Sequence, residues 1–327
     1  MRIRSCFLLA LSLAWGKGLL ADVVYSITDL GTLGGGSSFG FAINNAGQVT
    51  GYSYTATGAS HAFLYSNGQM IDLGTLGGSN STGWAINDAG QVVGVSHTSG
   101  GDFPQHAFLY SNGQMRDLGT LGGSYSIGAA INNAGQVTGY SDTATGAFHA
   151  FLYSNGQMID LGTLGGSYSL GVAINNAGQV TGFADPAAGG LHAFLYSNGQ
   201  MRDLGTLGGS YSFGGAINNA GQVTGYSDTA TGAFHAFLYS NGQMRDLGTL
   251  GGNGSVGNAI NNAGQVTGYS DTATGASHAF LYSNGQMRDL GTLGGNGSLG
   301  FAINNAGQVT GESDPAAGYP HAFLYSR

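Results

Sequence analysis

The sequence predicts an all-β fold, a seven-bladed β-propeller with four antiparallel strands in each blade. Three observations support this prediction. A unit of about 43 residues recurs seven times, each unit contains four short β-prone segments, and the units are out of phase with the ends of the chain. A fixed period of this length is typical of repeat architectures, and four-stranded units repeated radially form propellers.

The repeat is defined by three phrases that follow one another in a fixed order. Asp-Leu-Gly-Thr-Leu-Gly-Gly begins at Asp29, Asp72, Asp117, Asp160, Asp203, Asp246 and Asp289. Ala-Ile-Asn begins at Ala42, Ala85, Ala130, Ala173, Ala216, Ala259 and Ala302. His-Ala-Phe-Leu-Tyr-Ser begins at His61, His106, His149, His192, His235, His278 and His321.

Each unit is predicted to contain two hairpins. In the first complete unit, Asn45-Ala46-Gly47 joins two short apolar runs, and Gly47 suits the left-handed position after a type I turn. The dipeptide Asn67-Gly68 joins the next two runs, and Asn-Gly is the preferred sequence of a type I′ turn. No run in the unit shows the period of a helix.

The second hairpin also predicts which side chains share a face. Pairing across its turn places one set, His61, Phe63, Tyr65, Met70 and Asp72, on one face, and the other set, Ala62, Leu64, Ile71 and Leu73, on the opposite face. Both sets are largely apolar, as expected for a blade that packs against a neighbour on each side.

The phase of the repeat favours a closed ring over an open β-solenoid. The chain starts with the tail of a unit, Val23 to Gly35, and ends with an incomplete one, His321 to Arg327. Together these fragments make one whole unit. We therefore expect Val24 to Leu30 to lie beside His321 to Ser326 as the outer strand of the last blade.

The first 21 residues differ in character from the rest and predict a secretory signal peptide. Arg2 and Arg4 precede an apolar run from Cys6 to Trp15, and Ala21 is a small residue suited to cleavage. Residues 22–327 are then a single propeller domain in a secreted protein, extracellular or periplasmic. No later run approaches the length of a membrane span, so no membrane insertion is expected.

The charge and cysteine content exclude several functions. After removal of residues 1–21 the chain has five arginines and no lysine against sixteen acids, a net charge of −11. Nucleic acid would be repelled, so it is not expected as a partner. The single cysteine, Cys6, lies in the predicted signal, which leaves no disulfide and no thiolate metal site.

The three phrases together identify a resemblance. His-Ala-Phe, Ile-Asn-x-x-Gly-x-Val-x-Gly and Asp-Leu-Gly-Thr-Leu-Gly-Gly resemble the HAF-type extracellular repeat family over everything after the signal. The resemblance implies exported bacterial repeat proteins, propeller-like in fold, and carries no particular biochemical activity. Blade size and closure also resemble WD-type propellers, but the Gly-His and Trp-Asp signatures are missing.

Seven histidines and seven aspartates recur once per unit, and we interpret them as buried structural pairs. Each histidine lies diagonally across a hairpin from an aspartate, where buried polar groups find partners. The predicted pairs are His61–Asp72, His106–Asp117, His149–Asp160, His192–Asp203, His235–Asp246, His278–Asp289 and His321–Asp29. The histidines lie one blade apart and do not converge as i, i+4 ligands on a helix would, so no metal or other cofactor is expected.

Catalysis needs unlike groups at one place, so candidate catalytic residues must break the repeat. His97 and Asp102 lie in the one lengthened loop, and Glu312 is the only glutamate. The other deviations are Asp88, Phe103, Pro104, Gln105, Tyr319 and Pro320. A general-base pair of His97 and Asp102 would support an enzyme, whereas sequence drift in a surface loop accounts for them equally well. We predict no catalytic residue.

Differences between the copies instead indicate a binding surface. The 1–2 and 3–4 turns are nearly identical in all units, whereas the 2–3 and 4–1 loops, on the opposite face of the disc, differ. On this variable face three successive units carry Tyr125, Tyr168 and Tyr211, with Asn80 and Trp84 in the second unit. An arc of tyrosines suits stacking on sugar rings or docking of a peptide, although recent duplication also explains it.

The sequence thus favours a secreted, non-catalytic binding module. Its expected partner is an extracellular ligand, a glycan or a protein, bound by the variable face. Two alternatives remain at this point. One is a hydrolase or lyase acting on glycans, with its site at the mouth of the central channel, and the other is a purely structural surface protein.

Overall fold

The computed structural model describes residues 28–99 and 104–326, and these residues form an all-β protein. Their 27 strands form seven repeated units, six with four antiparallel strands and one with three, and a single parallel pairing between Gln105 and Tyr125 joins the second and third units into one eight-stranded sheet. Within the described ranges no helix is long and apolar enough to cross a membrane. The predicted signal peptide, residues 1–21, lies outside the described residues.

The strands occupy equivalent positions in every unit. The first strands are β1 (Gly34–Ile43), β5 (Gly77–Ile86), β9 (Gly122–Ile131), β13 (Gly165–Ile174), β17 (Gly208–Ile217), β21 (Gly251–Ile260) and β25 (Gly294–Ile303). The second strands are β2 (Val49–Thr55), β6 (Val92–Thr98), β10 (Val137–Thr143), β14 (Val180–Pro186), β18 (Val223–Thr229), β22 (Val266–Thr272) and β26 (Val309–Pro315).

The third and fourth strands form the outer hairpin of each sheet. The third strands are β3 (Ser60–Ser66), β7 (Gln105–Ser111), β11 (Phe148–Ser154), β15 (His192–Ser197), β19 (Phe234–Ser240), β23 (Ser277–Ser283) and β27 (His321–Tyr325). The fourth strands are β4 (Gln69–Asp72), β8 (Gln114–Asp117), β12 (Gln157–Asp160), β16 (Gln200–Asp203), β20 (Gln243–Asp246) and β24 (Gln286–Asp289). Residues in β27 have no fourth strand beside them in the described part of the chain.

Both predicted turn types are confirmed. Asn67 and Gly68 have φ values of 51° and 79°, and positive φ at both central residues defines the type I′ turn. In the first hairpin the Gly47 N–H donates to the Asn44 carbonyl at 3.0 Å, and Gly47 has a φ of 75°. The same values recur in the other units, so the short Asn-Gly and Asn-x-Gly sequences fix the register of each sheet.

The core lies between neighbouring sheets. Ala62, Leu64 and Leu73 of the first unit pack against Val92 and Phe108 of the second, and equivalent clusters fill later interfaces. The two faces predicted for the outer hairpin are therefore confirmed. Each of the five inner units buries one set of side chains against the preceding unit and the other set against the next one.

A repeated hydrogen bond joins neighbouring sheets near these cores. The N–H of the alanine in each His-Ala-Phe phrase donates to a serine hydroxyl of the next unit at 2.8 to 2.9 Å. The donor and acceptor pairs are Ala62–Ser81, Ala107–Ser126, Ala150–Ser169, Ala193–Ser212, Ala236–Ser255 and Ala279–Ser298. Six successive interfaces thus have the same geometry.

The seventh interface, between the last sheet and the first, is open in the structure. No strand of the last sheet pairs with the first sheet within 28–99 and 104–326. Leu324 is 53% exposed, whereas the equivalent Leu281 is 3% exposed, and Ile43 at the other side of the opening is 68% exposed. The predicted closing strand is not observed: Val24 to Ile27 lie outside the described residues, and residues 28–30 form no strand.

Candidate functional site

The histidine–aspartate pairs are present in six units, where Nδ1 of the histidine lies 2.8 to 2.9 Å from Oδ2 of the aspartate. Their burial is less than predicted, because the aspartate side chains are 40–43% exposed. Each aspartate also accepts a hydrogen bond from the glycine N–H two residues later, as at Asp72 and Gly74. The structure joins no pair between His321 and Asp29 in the part of the chain it describes. This is the pair that spans the open interface.

A cleft walled by aromatic rings lies on the variable face. Tyr125, Tyr140, Phe148 and Tyr168 line a cavity of about 490 Å³. They come from β9, β10, β11 and β13, so the cleft lies where the third sheet meets the fourth. Phe148 is the central ring, with edge-on contacts to Tyr125 and Tyr140 at 5.9 Å and to Tyr168 at 6.5 Å between ring centroids. Such edge-to-face geometry is favourable for aromatic side chains.

Two aspartates hold the tyrosine-bearing segments in place. Asp142 accepts hydrogen bonds from the backbone N–H groups of Ser124 at 2.9 Å and Tyr125 at 2.7 Å. Asp185 accepts the equivalent pair, and its Oδ1 lies 2.6 Å from the Tyr168 nitrogen. Because a carboxylate that accepts several backbone N–H groups is a strong acceptor, the two walls of the cleft are fixed before any ligand arrives.

The hydroxyl groups of the cleft are partly withdrawn from water. Burial, reinforced by the neighbouring Tyr125, raises the pKa of Tyr140 to about 12. Burial also raises the pKa of Tyr125, although its hydrogen bond with Tyr140 acts in the opposite direction. Burial also raises the pKa of Tyr168, and the neighbouring Tyr140 raises it further. The cleft therefore presents apolar ring faces together with neutral hydroxyl groups.

The structure brings together two of the three predicted tyrosines. Tyr211 occupies the equivalent position in the fifth unit, but it is 50% exposed and does not line the cleft. Trp84 stacks on Phe41 with centroids 4.9 Å apart, in the first two units. Asn80 joins the same two units, because its Oδ1 accepts from the backbone N–H of Ser60 at 2.9 Å.

The loop sequences alone do not indicate Tyr140 and Phe148, because these residues lie on the second and third strands of the unit. Their signal is nevertheless in the sequence. The third unit has an aromatic residue at each of the three positions, and the fourth unit supplies Tyr168 as the opposite wall. The fifth unit also has three, Tyr211, Tyr226 and Phe234, but the next unit has Gly254 where Tyr168 stands. Only the third and fourth units combine to make this cleft.

Among the described residues that break the repeat, His97 and Glu312 lie in different units and line different cavities. His97 lies in the second unit, with Nδ1 3.1 Å from the Ser79 hydroxyl and Nε2 2.9 Å from the Gln105 amide. Glu312 lines a different cavity, in the seventh unit. Asp102 and Phe103 lie outside the described residues, so the proposed pair of His97 and Asp102 stays a prediction. Across 28–99 and 104–326 no three histidine, cysteine or acidic side chains converge as metal ligands.

Comparison with known proteins identifies the fold class. No family model matches the chain, and no curated protein matches it. Among solved structures, the β-propeller domain of the Trilobed protease from Pyrococcus furiosus is similar with a TM-score of 0.58 and 8% identity, covering 88% of this chain and 95% of that one. At such low identity the likeness shows the fold alone, and the protein is a β-propeller.

Two further structures are similar over most of this chain. A puromycin-hydrolyzing peptidase from Mycobacterium tuberculosis has a TM-score of 0.51 and 12% identity, covering 79% of this chain but only 44% of the peptidase. The BP39L lectin from Burkholderia pseudomallei has a TM-score of 0.49 and 13% identity, covering 86% of this chain and 92% of the lectin. The lectin likeness is too weak to bear on function, and the HAF resemblance stays a prediction.

Proposed function

We propose that this protein is an exported, non-catalytic binding module that holds a sugar ring of an extracellular glycan in the aromatic cleft of its variable face. The observation that carries the proposal is the cleft itself. Four rings from two neighbouring units surround one cavity of about 490 Å³ and leave ring faces and hydroxyl groups accessible together.

A sugar matches this combination because one face of a pyranose is rich in C–H groups and its rim is rich in hydroxyls. Tyrosine binds such groups with little loss of conformational entropy, since it has few rotatable bonds. The hydroxyls of Tyr125, Tyr140 and Tyr168 are neutral at physiological pH, as tyrosine hydroxyls ordinarily are, and burial raises their pKa values further. Each hydroxyl can then donate and accept, as a sugar hydroxyl does.

The composition of the cleft favours binding over hydrolysis. Most glycoside hydrolases place two carboxyl groups on either side of the scissile bond. The residues that line the cleft are three tyrosines and a phenylalanine. Asp142, which orders one wall, is already occupied by two backbone N–H groups.

Closure of the ring belongs to the same proposal. The seven units surround one central cavity, and Leu324 and Ile43 expose apolar surface on the two sides of the opening. Val24 to Leu30 repeat the sequence positions of a fourth strand, and we infer that they pair with β27. The propeller domain of the Trilobed protease is described with an open velcro topology, so the propeller fold alone does not require such a strand.

Export and family membership rest on the sequence. The apolar run Cys6 to Trp15 supports secretion, and the three repeated phrases support membership of the HAF-type repeat family. The net charge of −11 after removal of residues 1–21 favours a ligand other than nucleic acid.

A glycan and peptide array with purified residues 22–327 tests the function. We expect binding to a subset of glycans and its loss in the Tyr125→Ala, Tyr168→Ala double variant. Tyr211→Ala is the matched control, because it removes the same side chain from an equivalent position outside the cleft. Binding that survives the double change, or that Tyr211→Ala abolishes, would contradict the proposed site, and cleavage of the bound glycan would favour the enzyme alternative.

A further inference from the structure

A second cavity lies on the opposite face, among the turns that hardly vary between units. Its volume is about 540 Å³, and it is lined by the Ile-Asn-Asn segment of all seven units, with aspartate in place of the second asparagine at Asp88. Each unit therefore contributes two adjacent polar side chains to the wall of a single cavity on the axis of the ring.

In six of the seven units the first asparagine of the segment is fully used by the scaffold, because its amide nitrogen also donates to a backbone carbonyl of the next unit. In the third unit the Asn132 amide nitrogen donates to Gln136 Oε1 at 2.8 Å and to the Asn175 carbonyl at 2.9 Å. Its Oδ1 accepts from the backbone N–H groups of Ala134 and Gln136 at 3.0 Å. These side chains join neighbouring units and have no donor left for a ligand.

In six of the seven units the second side chain of the segment forms one repeated hydrogen bond to the scaffold. Its Oδ1 accepts a backbone N–H from the preceding unit at 3.0 to 3.2 Å. Asp88, Asn133, Asn176, Asn219, Asn262 and Asn305 all accept in this way. Because a backbone N–H can only donate, the amide oxygen must face it, which fixes the amide orientation and turns each NH₂ group away from that bond.

Asp88 shows what these NH₂ groups recognise. Its Oδ2 accepts from Asn45 Nδ2 at 3.0 Å and from Asn133 Nδ2 at 2.8 Å. The backbone N–H of Asn45, followed by the two amide groups, holds the pKa of the Asp88 carboxyl below its usual value. One carboxylate oxygen thus sits between two neighbouring amide donors of the ring.

The other side of the ring has donors without an acceptor. The NH₂ groups of Asn176, Asn219, Asn262 and Asn305 have no hydrogen-bond partner among residues 28–99 and 104–326, and all four residues line the cavity. We propose that this arc of four amide groups is a binding site for a small carboxylate-bearing ligand, held as the ring already holds Asp88.

The hydrogen bond that Oδ1 accepts from the preceding unit does not by itself require asparagine. Aspartate forms it equally well at position 88, where Oδ1 lies 3.2 Å from the Asn45 nitrogen. The Nδ2 amino group is the part of the asparagine side chain that aspartate lacks. Asp88 stands where the other units have asparagine, so both aspartate and asparagine fit this turn.

Two isosteric substitutions test the site with galacturonate as the probe and galactose as its neutral counterpart. Asp88→Asn removes a negative charge and frees two NH₂ groups, so we expect galacturonate to bind roughly tenfold more tightly. Asn219→Asp keeps the hydrogen bond accepted by Oδ1 and replaces an NH₂ donor by a negative charge. We therefore expect galacturonate binding to weaken by roughly tenfold. Both residues already occur at equivalent positions, so the fold should tolerate both changes.

Calorimetric titration measures affinity, and the side-chain amide NMR signals of the four asparagines report the site. The proposal is overturned if galactose binds as well as galacturonate, if Asp88→Asn does not tighten binding, or if no amide signal moves. It is equally overturned if galacturonate fails to bind Asp88→Asn. Because the site lies on the opposite face from the aromatic cleft, the Tyr125→Ala, Tyr168→Ala double variant should bind galacturonate normally, which separates the two proposals.

Discussion

At the scale of single residues, the tyrosines differ most in their surroundings. Tyr140 contacts both Tyr125 and Phe148, with ring centroids 6.2 and 5.9 Å away, and its raised pKa reflects burial first and the neighbouring Tyr125 second. Tyr211 comes from the same type of repeat unit but is 50% exposed. The environment, rather than residue type, separates a cleft residue from a surface one.

The raised pKa of Tyr140 predicts alkaline destabilisation. The folded state keeps this proton up to about pH 12, whereas the unfolded chain loses it near the ordinary value of 10.0. The contribution to stability is therefore complete below pH 10.0 and is lost as pH rises towards about 12.

Denaturant unfolding measured across this pH range should show a smaller fall in stability for Tyr140→Phe than for the wild type. Tyr211→Phe is the control, because it removes a tyrosine hydroxyl from a position outside the cleft. An identical fall in wild type and Tyr140→Phe would contradict the assignment.

At the scale of elements, glycines make close contacts between strands possible. Gly139 on β10 faces β9, and a Cβ atom there would collide with the Ile127 carbonyl oxygen. Every unit has a glycine at this position with the same conflict against the preceding strand. In the fourth unit, for example, a Cβ atom on Gly182 would collide with the Leu170 carbonyl oxygen. The repeated Val-x-Gly of the sequence thus reflects a steric requirement of the first hairpin.

Replacement of this glycine should destabilise the sheet. We expect Gly139→Ala to lower the free energy of unfolding by about 3 kcal/mol or more, because backbone atoms must shift to admit the methyl group. Gly36→Ala is the matched control, since a Cβ there meets nothing within 4 Å. Chemical denaturation of both variants gives the comparison, and equal stabilities would contradict the steric explanation.

Local sequence was sufficient to predict the elements, but not the site. The Asn-Gly turn at Asn67 was predictable because positive φ at two successive residues is a local property. The cleft depends on Tyr125, Tyr140, Phe148 and Tyr168, which four strands of two units bring together. The loop sequences alone predict Tyr125 and Tyr168 but also Tyr211, because they supply one position of the repeat whereas the cleft requires three.

At the scale of the whole molecule, the order of the units determines where function can reside. Equivalent units give equivalent interfaces, as the six alanine–serine hydrogen bonds show. A cleft arises where two particular units meet, and a polar cavity arises where all seven converge. At the interface between the last and first units, the sequence predicts a closing strand that the described residues do not form.

A disulfide trap tests closure of this interface. By analogy with Leu64, which pairs with Ile71, Leu324 should face Thr28 if the N-terminal segment forms the outer strand. We expect the Thr28→Cys, Leu324→Cys variant of residues 22–327 to form an intramolecular disulfide, which requires Cα atoms within about 7 Å.

The matched control for this trap is Thr28→Cys with Ile159→Cys, because Ile159 lies on the exposed outer strand of the third unit. Mass spectrometry under oxidising conditions detects the bond. Absence of the cross-link in the test variant, or equal cross-linking in the control, would contradict closure by this strand.

The most direct test of the central claim is the affinity of a glycan identified on the array, measured by calorimetry for wild type, Tyr168→Ala and Tyr211→Ala. Tyr168 forms one wall of the cleft, so its loss should raise the dissociation constant roughly tenfold or more. Tyr211→Ala should bind like the wild type. Equal affinities for wild type and Tyr168→Ala would contradict the claim that the aromatic cleft is the binding site.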